Sequence, residues 1–359
     1  MTDNSEQHGH QDEVHPQGQQ RPSQAEAQNT HRESYPSQES EDFGSGAQSL
    51  TGHPLGLNSV VEPSGTYRGP EGGEVHAIQS GWRLALREFT ANRLAVVGLV
   101  VVVFYILFCF LGPVFYHTNQ VSTNLAVSNE APSGAHLLGT NNNGFDELGQ
   151  IMVGGQTALE IGFYSAFVSI VIGTLYGAIA GLVGGLIDGA MMRFVDVLLS
   201  IPFLFIVLIL ATKYSATVLS ISILLGLFSW LVPARLVRGE VLSLRERDFV
   251  WASRVMGGGN TRIIFRHLIP NAVSVTIVNV TFLLADAILA LSTLGYLGFG
   301  LKYPTTSWGG MLEDAQTYVT NNQWWLVYPV GVSLVLVVLS FNLIGDGLRD
   351  ALDIRLRRR

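Results

Sequence analysis

The sequence predicts an all-α membrane protein, with six transmembrane helices behind a disordered polar N-terminal tail. Three observations predict it. The chain of 359 residues is 48% hydrophobic and only 14% charged, whereas a soluble domain carries roughly 25% charged residues. The apolar residues are gathered into long runs, as helical membrane spans require. Lys and Arg are divided very unevenly among the segments between those runs. The net charge of −7 comes largely from the tail and makes no case for a nucleic-acid partner. Cys109 is the only cysteine, so no intrachain disulfide is possible, and its apolar surroundings mark it as a packing residue.

Residues 1–78 are rich in Gln, Ser, Glu, Gly, Pro and His and hold few large apolar side chains. Such a segment cannot bury enough surface to offset its ordering entropy and is expected to be a disordered cytoplasmic tail. It lacks the early apolar stretch of a signal peptide. A regulatory or partner-binding role is the alternative, and His8, His10 and His15 have no metal-ligand spacing. Residues 79–93 alternate Trp82, Leu84, Ala85, Leu86 and Phe89 with Arg83, Arg87 and Arg93. This suits an amphipathic helix at the membrane interface, with arginines toward anionic headgroups.

Six spans follow. The first is Leu94–Leu111. The second is Ala158–Leu186, in which Gly173, Gly177, Gly181 and Gly185 recur every fourth residue and set a face for close helix approach. The third, Phe194–Leu210, is interrupted by Pro202. The fourth, Val218–Val232, ends at Pro233. The fifth is Ala272–Leu291 and the sixth Val327–Leu343, opened by the interfacial aromatics Trp324, Trp325 and Tyr328. Pro113 to Gln156 contains neither Lys nor Arg, and the other two segments on that side hold only Lys213 and Lys302. The opposite side holds Arg83, Arg87, Arg93, seven arginines from Arg235 to Arg266, and the C-terminal Arg-Leu-Arg-Arg-Arg. Both termini and the segment Glu240–Asn271 are therefore expected in the cytoplasm of a multi-pass cell-membrane protein.

Glu160 and Asp286 lie inside predicted spans, where a carboxylate is a functional candidate by default. Both are close enough to span ends for a solvated position to be an equal alternative. There is no charge ladder of a pump and no selectivity-filter sequence. There is also no G-x-x-x-x-G-K-[ST] loop to hold nucleotide phosphates. Val153-Gly154-Gly155-Gln156 resembles part of the signature of ATP-binding-cassette ATPases, but without a phosphate loop it is read as coincidence.

The polar, arginine-rich segment Glu240–Asn271 is the most informative stretch. Its first half suits a helix to about Met256, Gly257-Gly258-Gly259 breaks it, and Asn260 can cap a second helix that Pro270 interrupts. Helix, glycine turn, helix is the form of a projecting elbow that fits a partner's cleft. From spacing alone, a solvated loop with arginines facing headgroups is an equal alternative.

This segment resembles the EAA loop of ABC importer permeases, E-A-A-x3-G-x9-I-x-L-P. Trp251, Ala252 and Ser253 occupy the E-A-A positions, Gly257 the glycine, Ile269 the leucine and Pro270 the proline. Arg262 to Asn271 looks specifically like the dipeptide/oligopeptide/nickel subfamily, C-type subunit. Further matches are Asn92-Arg93-Leu94-Ala95, His136 to Thr140, Met192 to Asp196 with Pro202 downstream, Ala234 to Gly239, Ser307 to Leu312, and Phe341 to Asp353. The resemblance implies the type I ABC importer permease fold over residues 94–355. It implies a homologous second permease, two ABC ATPase subunits, an extracytoplasmic peptide-binding protein and the lipid bilayer as partners. ATP and Mg would be bound by the ATPases, so this chain would have no cofactor, metal or catalytic residue of its own. It would translocate dipeptides or oligopeptides; a nickel or other small-solute importer is the alternative within the class. An ATP-independent channel or secondary carrier is the alternative outside it.

The resemblance places ATPase coupling on a helix from Phe249 to Met256, with Arg247, Arg254 and Arg262 as candidate partners of ATPase carboxylates. Asp196 and Asp286 are candidates for the translocation path. The chain also departs from the family pattern. Trp251 replaces a glutamate, Asn141 and Phe145 replace an acid and an arginine, and Gln156 stands where an arginine is usual. Leu291 stands where a glutamate is often found. Trp251 predicts an elbow that grips its ATPase through apolar packing more than through charge.

Overall fold

The computed structural model describes residues 81–357 apart from 119, 121, 214 and 215, together with residues 67–68 and 74–75. Tyr67–Arg68 pairs antiparallel with Glu74–Val75, so the tail expected to lack structure carries one short ladder. The rest of the tail, with His8, His10 and His15, lies outside the described residues.

Helix α1, Gly81–Ala91, lies where the amphipathic helix was expected. Ala85 and Phe89 turn into protein while Leu86 stays exposed; α1 packs on the last helix, and Phe89 sits against Gly347. Asn92 caps α2, Arg93–Phe115, by accepting hydrogen bonds from the Leu94 and Ala95 N–H groups. The helix runs past the predicted Leu111 and through Pro113. A proline there removes the donor that would reach the Cys109 carbonyl four residues back. The Gln156 side-chain amide donates to that carbonyl instead, at 2.7 Å. Val97, Val100, Phe104 and Leu107 are exposed along α2, a stripe at helical spacing suited to lipid.

Helix α3, Glu147–Val183, begins well before the predicted Ala158. Glu147 and Gln150 lower the hydropathy of its first turns, yet Asp146 caps it by accepting from the Gly149 N–H at 2.9 Å. At 37 residues and 1.5 Å rise per residue the helix is about 55 Å long. That exceeds the ~30 Å hydrocarbon layer, so its ends stand beyond it. The helix stops at Val183, not Leu186, because Gly184 turns to φ +68°.

The third span is the pair α4, Gly185–Leu199, and α5, Phe203–Ala211, bent by 71°. The break falls just before Pro202, as expected, but α4 starts before the predicted Phe194. The fourth is α6, Val218–Ser229, and α7, Leu231–Leu244, bent by 44°. Here the expectation fails: Pro233 does not end the span. The break is at Trp230, and Pro233 sits in the first turn of α7, where no intrahelical N–H bond is missing.

After α8, Asp248–Val255, and α9, Asn260–Ile263, the helix continues without interruption. A π-helical stretch, Ile264–Leu268, leads into α10, Ile269–Tyr296. Pro270 was expected to break this helix. The wider turn, in which the Ile269 N–H reaches the Ile264 carbonyl, takes up the proline instead. Asn260 is the first residue of α9 and not its cap; Gly259 holds that place. Helix α11, Trp308–Ala315, is short, and α12, Tyr328–Arg357, closes the bundle. Among the described residues, four helices are long and apolar enough to cross a membrane, and the two bent pairs raise the number to six if each pair is one span.

Helix α3 is the centre, packed against α2, α6, α7 and α10. Trp308 is fully buried and donates its indole N–H to the Ile151 carbonyl at 3.0 Å. The glycine stripe works as expected against α7. A Cβ on Gly173 would lie 2.9 Å from the Trp230 oxygen, one on Gly181 2.8 Å from Val241 Cγ1, and one on Gly177 would overlap the Ala234 carbonyl. Gly185 is not part of the stripe; it sits in the break, with open space where a Cβ would be.

Candidate functional site

Arg245 and Arg247 lie in the turn between α7 and α8. Val250 and Ser253, three residues apart, turn one face of α8 inward. Val250 is fully buried in an apolar cluster with Ala178 of α3, Val241 and Leu244 of α7, Ile263 and Leu268, and Ala272 of α10. Helices α3, α7 and α8 and the continuous helix from α9 to α10 thus share one small core, and Val250 is the residue of α8 within it. Its outer face carries Trp251, 51% exposed, and Val255, 85% exposed, with Met256 next at 79%. Apolar side chains this exposed in one place mark a surface for another molecule. The Arg254 guanidinium stands 5.5 Å from the centre of the Trp251 ring, a cation–π contact that leaves its charge in solvent.

Gly257 ends the helix for a definable reason. It has φ +81°, and the N–H groups of Gly257 and Gly258 bond to the Arg254 and Ser253 carbonyls at 2.9 and 2.8 Å. This is the glycine-requiring Schellman turn. The expected coupling helix, Phe249 to Met256, is therefore shifted by one residue to Asp248–Val255.

The structure gathers Trp251, Ala252, Arg254 and Gly257 on the exposed side of the elbow and puts Ser253 on the buried side. Arg247 and Arg262 are exposed, and neither they nor Arg254 makes an ion pair among the described residues. Ile269 packs against the elbow's core, and Pro270 is exposed at the start of α10. Arg245, by contrast, turns inward to the Gly181 carbonyl at 3.0 Å.

The two path candidates are placed differently. Asp196 of α4 is ion-paired with Arg235 of α7. Asp286 is exposed on α10 with no ion pair among the described residues. No hydrogen bond or ion pair joins them among the described residues. Glu160 is half-buried in α3, and Leu291 is 1% exposed in the main core. Two features escaped the sequence reading. Asp188 of α4 receives the Arg238 guanidinium in a two-pronged bond at 2.5 and 2.7 Å, a partnership across fifty residues that no local pattern announces. Glu147 is buried at the head of α3; its place after a capping aspartate reads locally as an ordinary first-turn acid.

Comparison with known proteins agrees with this architecture. The family described as binding-protein-dependent transport system inner membrane component matches residues 173–358. The N-terminal TM domain of oligopeptide transport permease C matches residues 80–132. The chain is 40% identical over 277 residues to the oligopeptide transport system permease protein OppC of Escherichia coli (strain K12), covering 77% of this chain and 91% of that one. It is 36% identical to the OppC protein of Bacillus subtilis (strain 168), over 77% of this chain and 90% of the relative. It is 35% identical to the dipeptide transport system permease protein DppC of the same organism, over 84% and 90%. With the elbow, its glycine turn and the bent spans in place, the chain belongs to the family of inner-membrane components of binding-protein-dependent transport systems, with the N-terminal domain of its permease C type.

Proposed function

We propose that this chain is one of two transmembrane subunits of an ATP-driven peptide importer. The observation that carries the reading is the seating of α8. Val250 ties it into a core shared with α3, α7 and α10, while its apolar outer face is exposed among the described residues. A cleft on a cytosolic ATPase that grips Trp251, Val255 and Met256 would move α8, and the shared core would carry α3, α7 and α10 with it. Such rocking of packed helices opens one side of a path as it closes the other and needs no catalytic group here. ATP and Mg²⁺ belong to the two ATPases, and a homologous second permease completes the path. An extracytoplasmic binding protein delivers the substrate. Peptides are the substrate because the relatives are oligopeptide and dipeptide permeases. Both termini and the elbow face the cytoplasm, on the arginine distribution.

The test is uptake of labelled dipeptides, longer peptides and nickel in a strain that lacks only this subunit, with and without the restored gene. The reading expects peptide uptake that returns with the gene and collapses when ATP is depleted. Uptake of nickel alone, or uptake indifferent to ATP, overturns it.

A further inference from the structure

A cavity of about 390 Å³ lies between the head of α3, the 298–307 loop and α11, at the low end of the size range for small-ligand pockets. Its lining carries carboxylates, a lysine and an aromatic wall. Glu147, Glu313 and Asp314 supply the carboxylates, Lys302 the cation, and Phe145 stacked on Tyr303 at 6.3 Å the wall.

Two neighbouring acids behave in opposite ways. Asp146 is fully committed: it accepts from Tyr116 at 2.8 Å and from the Gly149 N–H at 2.9 Å, and pairs with His136 at 2.9 Å. Glu147 is 2% exposed and lines the cavity, yet no hydrogen bond or ion pair reaches its carboxylate among the described residues. Burial, and then the neighbouring acids Asp146 and Asp314, hold its carboxyl well above the usual carboxylate range, and a cation placed beside it would draw the proton off. Lys302 opens onto the same cavity and is likewise without an ion pair among the described residues. A buried carboxylate without a partner is costly. Here a buried carboxyl group with no basic partner and an exposed lysine share one cavity without being joined. A ligand with an ammonium at one end and a carboxylate at the other would satisfy both.

We propose that this cavity is a binding site for short zwitterionic peptides, with Glu147 holding the α-ammonium and Lys302 the α-carboxylate. The identity of the ligand rests on the peptide-import reading; the charge pairing stands on the cavity itself. The site would hold the peptide after release from the binding protein and before the path opens. Phe145 and Tyr303 offer their faces to its side chains.

The test uses the assembled transporter in lipid nanodiscs with no binding protein present, and equilibrium binding of tri-alanine, N-acetyl-tri-alanine and tri-alanine amide. Glu147→Gln should weaken tri-alanine by at least about tenfold, as loss of one member of a buried charge pair does, and leave the N-acetyl peptide unchanged. Lys302→Gln should weaken tri-alanine and leave the amide unchanged. Because each variant keeps one probe as an internal control, a variant that merely misfolds is recognised by the loss of all three. In that event the parent protein alone decides, since N-acetylation must cost it about tenfold. Equal binding of tri-alanine and N-acetyl-tri-alanine by the parent overturns the proposal, as does equal binding of tri-alanine by the parent and Glu147→Gln. If nanodisc binding follows the pattern while cells take up no peptide, the transport reading fails and the site stands. If cells import tri-alanine while Glu147→Gln binds it normally, the site fails and the transport reading stands.

Discussion

Gln156 and Trp251 show how single residues depart from the family pattern and still have a physical role. Gln156 stands where an arginine is usual, and its amide satisfies the Cys109 carbonyl left without a donor by Pro113. A carbonyl stranded in a packed helix pair costs about 1–3 kcal/mol. Gln156→Leu should therefore lower the stability of the detergent-solubilised protein by about that amount, read as a lower Tm, and the double variant Pro113→Ala/Gln156→Leu should recover most of it. Trp251 stands where a glutamate is usual and is half-exposed beside Arg254. If the elbow binds by apolar packing, Trp251→Glu should reduce ATP-dependent uptake several-fold. Uptake equal to the parent would remove Trp251 from the interface.

The elements were legible where one physical signal dominated. The run from Leu94, the break before Pro202 and the glycine turn at Gly257 all follow from hydropathy, proline sterics and left-handed backbone. The start of α3 was not legible, because Glu147 and Gln150 look polar and only tertiary contacts hold them in the bundle: Gln150 accepts from the Thr306 hydroxyl at 2.7 Å. Pro233 and Pro270 misled for one reason. A proline stops a helix only where an N–H bond is needed, and a first turn or a π turn removes that need. The glycine stripe was visible, but its partner was not; only the fold shows that α3 lies on the helix leading into the elbow. Gly177→Leu should force α3 and α7 apart, an overpacking that costs about 1–3 kcal/mol or more. Its measure is loss of assembled transporter at the membrane, while a leucine at Gly189, where a Cβ meets open space, should leave assembly intact.

At the scale of the whole molecule, one long helix runs from the cavity to the core that seats the elbow. Glu147 heads α3 beside the cavity, and Ala178 and Leu182 near its other end line the core that seats α8. The pairs Asp188–Arg238 and Asp196–Arg235 tie α4 to α7, so under the proposed motion the broken third span would move with α7. The family and the elbow could be read from the sequence because their residues are close along the chain. The cavity could not, since Glu147, Lys302 and Asp314 meet only in the folded bundle. The central claim is that α8 transmits ATPase motion, and its most direct measurement uses Gly257. A leucine at φ +81° costs about 1–2 kcal/mol and misdirects the elbow without touching the spans. In proteoliposomes holding the complete transporter, Gly257→Leu should keep ATP hydrolysis within about twofold of the parent and lower peptide uptake at least about tenfold, that is, ~1.4 kcal/mol or more of coupling. Normal uptake at normal hydrolysis in that variant would contradict the account.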